Sequence, residues 1–351
     1  MTILKNVNLN GQLTDVTVCD GKIYSVEKSE LPGEDFGGLK IYPGLIDIHI
    51  HGCVGYDTMD EEDRLSEMSN YLFSKGTTTW YPTTMTMSKE DIVRATSRSI
   101  ERSGGAKIEG FHLEGPFINP KRKGAQNADF VFRPDEKFVA ECKNVKMITL
   151  APELPGSKSF IENAEAVISL GHTDADYDTA MGAFRTGARC LTHAFNAMPA
   201  IHHRDPGPLV AAFDSGAYVQ LITDGKHIHP SVIRMYRAAI GDDKVIIISD
   251  SMRATGLSDG EYTLGGSKVN VIGGTAYTET GALAGSTSTL FDCVKEAISM
   301  GIEESAAVKM ATENPARLMK LNKGKIEVGY DADFILVDNE FNLIKTLKFS
   351  K

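Results

Sequence analysis

Between Ile46 and Ser249 the chain alternates eight times between short apolar segments and stretches with helical periodicity. Repeated strand–helix alternation predicts a (β/α)8 TIM-type barrel, whose active site is expected at the carboxyl ends of the strands. An open doubly wound sheet is the alternative. It would be expected to carry a G-x-G-x-x-G turn after the first strand, where this chain has His-Gly-Cys-Val-Gly. The predicted strands are Ile46–His51, Thr77–Thr83, Lys107–Leu113, Val145–Ala151, Ala166–Leu170, Cys190–His193, Tyr218–Thr223 and Val245–Ser249.

The two ends of the chain have a different pattern, with strands that follow one another without helices. Hairpin signals at Asn10-Gly11 and Asp20-Gly21 separate the first three predicted strands, and the tail from residue 326 to 349 is again strand-like. We therefore predict that residues 1–43 and 320–351 fold together as a small β-sandwich domain beside a barrel domain of residues 44–319. A Gly-rich span, residues 256–285, is expected to form a hairpin and loops over the barrel mouth.

Composition and charge restrict the partners and the compartment. The net charge of −10 argues against nucleic acid as a partner. The five cysteines are scattered and odd in number, which suits a reducing cytoplasm better than a disulfide framework. The first residues lack the basic start and apolar core of a signal peptide, and we find no uncharged apolar run long enough to span a bilayer. We expect a cytoplasmic protein with no membrane partner.

Polar side chains with metal-binding chemistry stand at the ends of the predicted strands. The strand period of 2 puts His49 and His51 on one face, and a barrel would bring the other strand ends to the same rim. Imidazole nitrogens and carboxylates suit one or two divalent first-row metals, and the lack of cysteine at these positions argues against a closed structural zinc site. The candidates at the other strand ends are Glu114, His172, His193 and Asp250.

Several of these segments together resemble the amidohydrolase superfamily and, within it, the N-acetylglucosamine-6-phosphate deacetylases. The His-x-His strand and the Asp331-Ala332-Asp333 tail are features of the whole superfamily, whereas His-Leu-Glu-Gly-Pro and Thr-His-x-x-Asn-Ala-Met are more specific to the deacetylases. The resemblance covers essentially the whole chain. Its segments begin at Pro43 (PGLIDIHIHG), His112 (HLEGPF), Gly171 (GHT), Thr192 (THAFNAM), Leu283 (LAGS) and Gly329 (GYDADF).

The resemblance implies a role for each matching residue. It implies metal ligation by His49, His51, Glu114, His172 and His193, and since some members have Gln and Asn in place of the first two, this chain is similar to the members with two metals. It implies that Asp250 is the catalytic acid–base. It implies one or two divalent ions, Zn, Fe or Mn, and a homodimer. The substrate-binding positions that it implies are Ala125, Gln126, Asn196, Ala197, Arg204, His227, Leu283, Ala284 and Gly285.

These roles predict hydrolysis of the acetamide of N-acetylglucosamine 6-phosphate to glucosamine 6-phosphate and acetate, in amino-sugar catabolism or cell-wall recycling. A metal lowers the pKa of a bound water to about 7, so that hydroxide forms near neutral pH. Asp250 would take the proton and return it to the leaving amine, while Arg204 and His227 would bind the phosphate. Gln126 departs from the family pattern, since many members have a carbonyl-polarising His there.

Three other hypotheses remain open. The galactosamine epimer could be the substrate, or the chain could be another amidohydrolase acting on a cyclic amide. Many such enzymes bridge two metals with a carboxylated Lys after the fourth strand, but here that strand is followed by Pro152-Glu153, with Glu114 available instead. A non-catalytic binding protein would be expected to have lost ligands, and all of the expected ligands are present.

Overall fold

The computed structural model describes residues 1–350, and its centre is a parallel barrel. Within these residues eight strands form the barrel, and neighbours pair in parallel in chain order. Backbone hydrogen bonds from Asp250 N to His49 O (3.0 Å) and from His51 N to Ser251 O (2.9 Å) connect the eighth strand's end to the first. The predicted barrel is confirmed. Its strands are Leu45–Ile50, Thr77–Thr84, Phe111–Glu114, Val145–Leu150, Val167–Leu170, Cys190–Leu191, Tyr218–Ile222 and Val245–Ile248.

The third strand differs from the expected continuous segment. It is divided into Lys107–Ile108 and Phe111–Glu114, with Gly110 between them at φ 152°. A Cβ at Gly110 would lie 2.3 Å from the Lys146 Cγ atom, so the backbone passes the fourth strand too closely for any side chain. Glycine therefore allows the chain to change course here before the strand that ends at Glu114.

Helices surround the barrel, and several begin at side chains that cap them. Ser88 caps the second helix, since its hydroxyl accepts from Asp91 N at 3.1 Å. The first helix begins at Leu65, after the charged segment 61–64. The helices are Leu65–Ser74, Lys89–Thr96, Glu136–Glu141, Ser157–Asn163, Tyr177–Thr186, Gly207–Ser215, Pro230–Ile240, Leu290–Ser299, Glu304–Met310 and Glu313–Met319, with 3-10 turns at Pro120–Arg122 and Ala128–Phe130.

The small β domain expected from both chain ends is confirmed. In place of two separate sheets, its strands are joined in one hydrogen-bonded sheet in which Lys40–Pro43 pairs with Thr2–Leu9 on one side and Asp333–Val337 on the other. One face of the sheet buries Leu4, Ile41 and Phe334. The remaining strands are Gln12–Cys19, Lys22–Val26, Glu34–Asp35 and Leu343–Lys348. Domain boundaries at residues 43 and 320 stay predictions.

The Gly-rich span forms a three-stranded antiparallel sheet at the barrel mouth, where we expected a hairpin and loops. Its strands are Gly260–Leu264, Ser267–Ile272 and Thr275–Thr278. The Arg253 guanidinium anchors it by donating to the Thr263 carbonyl at 3.0 Å and to the Gly55 carbonyl at 3.1 Å. Another short pair, Gly52–Cys53 and Tyr56–Asp57, lies after the first barrel strand. Among the described residues we find no helix with the length and apolarity that a membrane span requires.

Candidate metal centre and active site

The barrel brings the predicted ligands to one rim. Glu114 is the last residue of the third strand, and His49 lies next to the end of the first. His172, His193 and Asp250 each lie two residues beyond the end of a strand, the fifth, sixth and eighth respectively. These are carboxyl ends of parallel strands, which is where barrel enzymes place their active sites.

The Glu114 carboxylate is the centre of this cluster. Its Oε1 atom lies 3.2 Å from His49 Nε2, 3.1 Å from His172 Nε2 and 2.9 Å from His193 Nε2. Its Oε2 atom lies 3.3 Å from His51 Nε2. Asp250 Oδ1 approaches from the other side, 3.5 Å from His49 Nε2 and 3.3 Å from His51 Nε2. Four imidazoles and two carboxylates therefore face one small volume.

Three of the four imidazoles are oriented by an oxygen on their far side. A carbonyl oxygen can only accept, so each Nδ1 carries a proton and each Nε2 faces the cluster, where it offers a lone pair whenever the ring is neutral. The acceptors are Gln220 Oε1 for His49 (3.1 Å), the Thr83 carbonyl for His51 (3.3 Å) and the Arg122 carbonyl for His172 (2.9 Å). His49 Nε2 is buried and has no hydrogen-bond partner among residues 1–350. An unpartnered ring nitrogen of this kind is suited to a cation when the ring is neutral.

Both carboxyl groups are held in the ionised form. Burial acts to raise the pKa of Glu114, but the positive charges of His49 and His172 outweigh it and hold the pKa well below its usual range. Burial likewise acts to raise the pKa of Asp250, and the charge of His49 with the hydrogen bond to His51 lowers it. Glu114 and Asp250 can therefore bind a cation or accept a proton near neutral pH.

The backbone is strained where these side chains project. His172, His193 and Asp250 have φ values of 47°, 24° and 48°, in the left-handed region that residues other than glycine seldom adopt. Such conformations cost about 1–3 kcal/mol each and cluster at functional sites. The surrounding structure holds three of the predicted residues in this region, which supports a role beyond packing.

The donor set fits a divalent transition metal. Two groups of three residues have ligand atoms within 4.8 Å of one another, namely His49, His51 and Glu114, and Glu114, His172 and His193. The five residues of these groups offer only imidazole nitrogen or carboxylate oxygen, which first-row metals bind well. Glu114 belongs to both groups, so its two oxygens can serve two ions.

A cavity of about 310 Å³ opens over this cluster. Its size is within the range of small-molecule sites. The walls include seven of the nine predicted substrate-binding residues: Ala125, Gln126, Asn196, Ala197, His227, Leu283 and Gly285.

Two predicted substrate residues lie elsewhere. Ala284 is buried, and its amide donates to the Ala276 carbonyl at 3.1 Å, so it supports the wall from behind. Arg204 lies on an exposed loop, where its guanidinium contacts His203 Nε2 at 2.7 Å. Arg204 is not among the residues of 1–350 that line this cavity, so its phosphate role stays a prediction.

Other lining residues were missed at the sequence level. Met85 and Phe195 follow the second and sixth strands, and Phe195 lies inside the Thr-His-Ala-Phe-Asn segment, where it could have been noted. Leu264 comes from the sheet at the barrel mouth, and nothing in its local sequence indicates the cavity.

His227 is held at the cavity by a carboxylate that we did not single out as a site residue. His227 Nδ1 lies 2.8 Å from Asp224 Oδ2, and the His227 amide donates to Asp224 Oδ1 at 3.0 Å. Burial acts to raise the pKa of Asp224, but the hydrogen bond and charge of His227 outweigh it and lower the pKa. The contact between Asp224 and His227 fixes the imidazole ring through Nδ1, so Nε2 is left to bind a ligand in the cavity.

A larger cleft, about 860 Å³, lies between the small domain and the barrel helices. Four of its charged groups form pairs: Lys40 contacts Glu304 at 2.9 Å, and Lys325 contacts Glu313 at 3.5 Å. It contains neither of the two donor groups. We therefore assign the chemistry to the smaller cavity.

Known proteins match this chain over nearly its full length. The model of the amidohydrolase family matches residues 41–351. An N-acetylglucosamine-6-phosphate deacetylase of Lysinibacillus sphaericus is 36% identical over 97% of this chain and 94% of its own length. An N-acetylgalactosamine-6-phosphate deacetylase of Escherichia coli O157:H7 is 31% identical over 92% of this chain and 90% of its own.

Solved structures match along the whole chain. A variant of the Mycobacterium smegmatis N-acetyl-D-glucosamine-6-phosphate deacetylase, in complex with N-acetyl-D-glucosamine-6-phosphate, superposes with a TM-score of 0.93 at 29% identity. The match covers 100% of this chain and 98% of that one. The Thermotoga maritima N-acetylglucosamine-6-phosphate deacetylase has a TM-score of 0.91 at 31% identity, covering 100% and 99%.

Proposed function

This chain belongs to the amidohydrolase family, and we propose that it hydrolyses the acetamide of N-acetylglucosamine 6-phosphate to glucosamine 6-phosphate and acetate. The observation that carries the proposal is the convergence of His49, His51, Glu114, His172 and His193 beneath a cavity of sugar size. The reaction would serve amino-sugar catabolism or cell-wall recycling.

The five ligands would hold one or two divalent ions, and Zn, Fe and Mn all suit their nitrogen and oxygen donors. Such an ion, when bound, acts as a Lewis acid on the acetyl carbonyl and on the attacking water. The protein orients the imidazoles through Gln220, Thr83 and Arg122, so the site is arranged before the ion arrives.

Asp250 is the residue that we propose moves the proton. Its lowered pKa keeps it ionised, so it can accept a proton from water as the oxygen attacks the acetyl carbon. As the C–N bond breaks, the same proton passes to the amine nitrogen, which leaves as the neutral amine. Asp250 is ionised again at the end of the reaction.

We propose that the sugar phosphate lies in the cavity with its phosphate near His227. The Asp224 contact holds His227 Nδ1, which leaves Nε2 to donate to a phosphate oxygen in a charge-assisted bond worth about 1.5–3 kcal/mol. Binding energy at a non-reacting phosphate can orient the acetamide over the ligands. Leu264 and Leu283 would cover an apolar face of the sugar.

Acetate release from a small panel of substrates tests the proposal. We expect kcat/KM for N-acetylglucosamine 6-phosphate to exceed that for N-acetylglucosamine by several orders of magnitude, because the unphosphorylated sugar lacks the anchoring group. N-acetylgalactosamine 6-phosphate is the second candidate substrate, because one relative is an N-acetylgalactosamine-6-phosphate deacetylase. It is therefore included in the panel. Turnover of a cyclic amide but of neither sugar phosphate would overturn the proposal.

Arg204 needs its own test because it lies outside the cavity. Parent and Arg204→Ala are each assayed with N-acetylglucosamine and its 6-phosphate, and Arg185→Ala, another exposed arginine, is the control. A phosphate ligand should lower kcat/KM only for the phosphorylated substrate. Equal impairment of both substrates would mean that Arg204 has a structural role.

We further propose a homodimeric, cytoplasmic protein. The five cysteines are free, which suits a reducing compartment, and the net charge of −10 favours a small-molecule substrate over nucleic acid. Light scattering of the purified protein gives the oligomeric state directly, and a mass of one chain would contradict the dimer.

A further inference from the structure

Gln126 contacts the centre of the ligand cluster, and we propose that it is a positioning residue for Glu114. Its side-chain amide holds one oxygen of the Glu114 carboxylate, and in this way fixes how the carboxylate is presented to a metal. The inference rests on the proposed function, because it concerns the same site. It assigns Gln126 a role different from the carbonyl-polarising one that the family pattern implies at this position.

Two hydrogen bonds fix the orientation of the Gln126 amide. Its Oε1 atom accepts from the Thr86 backbone amide at 2.6 Å, and its Nε2 atom donates to Glu114 Oε2. An amide oxygen can only accept, so the Thr86 N–H decides which way the group faces. The NH2 group must then face Glu114. Gln126 and Glu114 are each 2% exposed, so water does not compete readily for these bonds.

The contact with Gln126 distinguishes the two oxygens of Glu114. Oε1 lies within 3.2 Å of the Nε2 atoms of His49, His172 and His193, whereas Oε2 is the oxygen that Gln126 and His51 approach. Rotation of the carboxylate would exchange these environments. Because Glu114 belongs to both donor groups, one rotation would disturb every ligand contact of the site at once.

The loop that carries Gln126 also orients a second ligand. It follows the third barrel strand and includes the turn Pro120–Arg122, whose Arg122 carbonyl accepts from His172 Nδ1 at 2.9 Å. Gln126 N donates to the Lys123 carbonyl at 2.9 Å, which connects the two parts of the loop. One loop therefore positions Glu114 through a side chain and His172 through the backbone.

A role as donor to the reacting carbonyl makes a different prediction. Loss of an oxyanion donor lowers kcat about 10²–10³-fold and leaves the ligands in place. Loss of a residue that orients a ligand typically weakens metal affinity about 10–100-fold. Metal retention, measured without substrate, separates the two roles.

The test compares the metal-loaded parent with Gln126→Leu and, as matched control, Lys121→Ala. Lys121 lies in the Pro120–Arg122 turn of the same loop and is exposed. Metal transfer to a chromogenic chelator gives the retention, and kcat and KM are measured at saturating metal. Gln126→Met, which is unbranched, is carried in parallel in case leucine disturbs the fold.

We expect Gln126→Leu and Gln126→Met to lose metal about 10–100-fold more readily, with kcat largely recovered when metal is in excess. We expect Lys121→Ala to resemble the parent. Unchanged metal retention with a large fall in kcat would overturn the inference while leaving the proposed function intact. A parent that neither holds metal nor releases acetate would overturn both.

Discussion

Asp250 differs from the other strand-end residues because, among residues 1–350, it belongs to neither group of clustered metal donors. It nevertheless lies 3.3 Å from His51 Nε2 and lines the cavity. We expect Asp250→Asn to retain its fold and metal and to lose turnover by about 10²–10⁴-fold, the usual size of an acid–base contribution. Steady-state kinetics with elemental analysis check this, with the exposed Asp178→Asn as control. A kcat within a few-fold of the parent would exclude Asp250 as the proton carrier.

His49 and His51 decide how many ions the site holds. Both are buried, both face Glu114, and each Nδ1 is held by an oxygen acceptor. We expect two divalent ions per chain in the parent and a lower content in the His49→Ala, His51→Ala double variant. Elemental analysis without chelator measures this. The two-ion prediction is wrong if the parent holds no more than one ion and the double variant holds the same amount.

At the scale of the elements, a chain of hydrogen bonds crosses the barrel interior beneath the ligands. Burial holds the pKa of His112 well below its usual range, so the ring is neutral. Nδ1 must donate to the Ile48 carbonyl (3.0 Å), and Nε2 therefore accepts from Thr149 (2.8 Å). Thr149 then accepts from Thr192 (2.7 Å), which accepts from Ser169 (2.6 Å). Because the Ile48 carbonyl can only accept, it sets which atom donates in every one of these hydrogen bonds.

Since His112 Nε2 is the acceptor for the Thr149 hydroxyl, loss of His112 leaves that hydroxyl without its acceptor. We expect His112→Phe to lower the free energy of unfolding by about 1–3 kcal/mol for each polar group left unsatisfied. Ser169→Ala, which removes only the last donor, should have the smaller effect. Urea unfolding of the metal-free proteins compares their free energies of unfolding. Equal losses in the two variants would contradict the donor and acceptor roles assigned to this series of hydrogen bonds.

At the scale of the whole molecule, the small domain is joined to the ligand-bearing strand. Gly44 N donates to the Asp333 carbonyl at 2.9 Å, immediately before the strand that carries His49. Phe334, the next residue of the sheet, is fully buried in the small domain. Loss of order in the sheet should therefore extend to the metal centre.

We expect Phe334→Ala to cost about 3–5 kcal/mol, the usual range for a buried Phe, and to release metal at a lower temperature than the parent does. Ile344→Ala is the control, because Ile344 is 53% exposed on a neighbouring strand and should change stability by less than about 0.5 kcal/mol. Thermal unfolding and metal release are followed together. Metal release at the parent's temperature despite a destabilised small domain would show that the two domains are independent.

The sequence by itself determined the barrel, because the apolar periodicity of strands and helices is a local property. The apolar segment of each strand indicates where that strand begins and ends. Seven of the eight barrel strands lie within two residues of their expected bounds. The exception, the third, is broken at Gly110 by the close approach of Lys146, a contact that local sequence does not contain. The chemistry of the ligands was likewise readable, since residue types at strand ends must meet on one rim.

Tertiary structure alone decided the finer arrangement. Leu264 reaches the cavity from the small sheet that follows the last barrel strand in sequence. Arg204 lies on an exposed loop and does not line the cavity. Gln126 is held by Thr86, and Glu114 is in turn held by Gln126. The two chain ends share one sheet in place of two. Each of these depends on which distant backbone groups come within hydrogen-bonding distance, and this is settled only when the whole chain has packed.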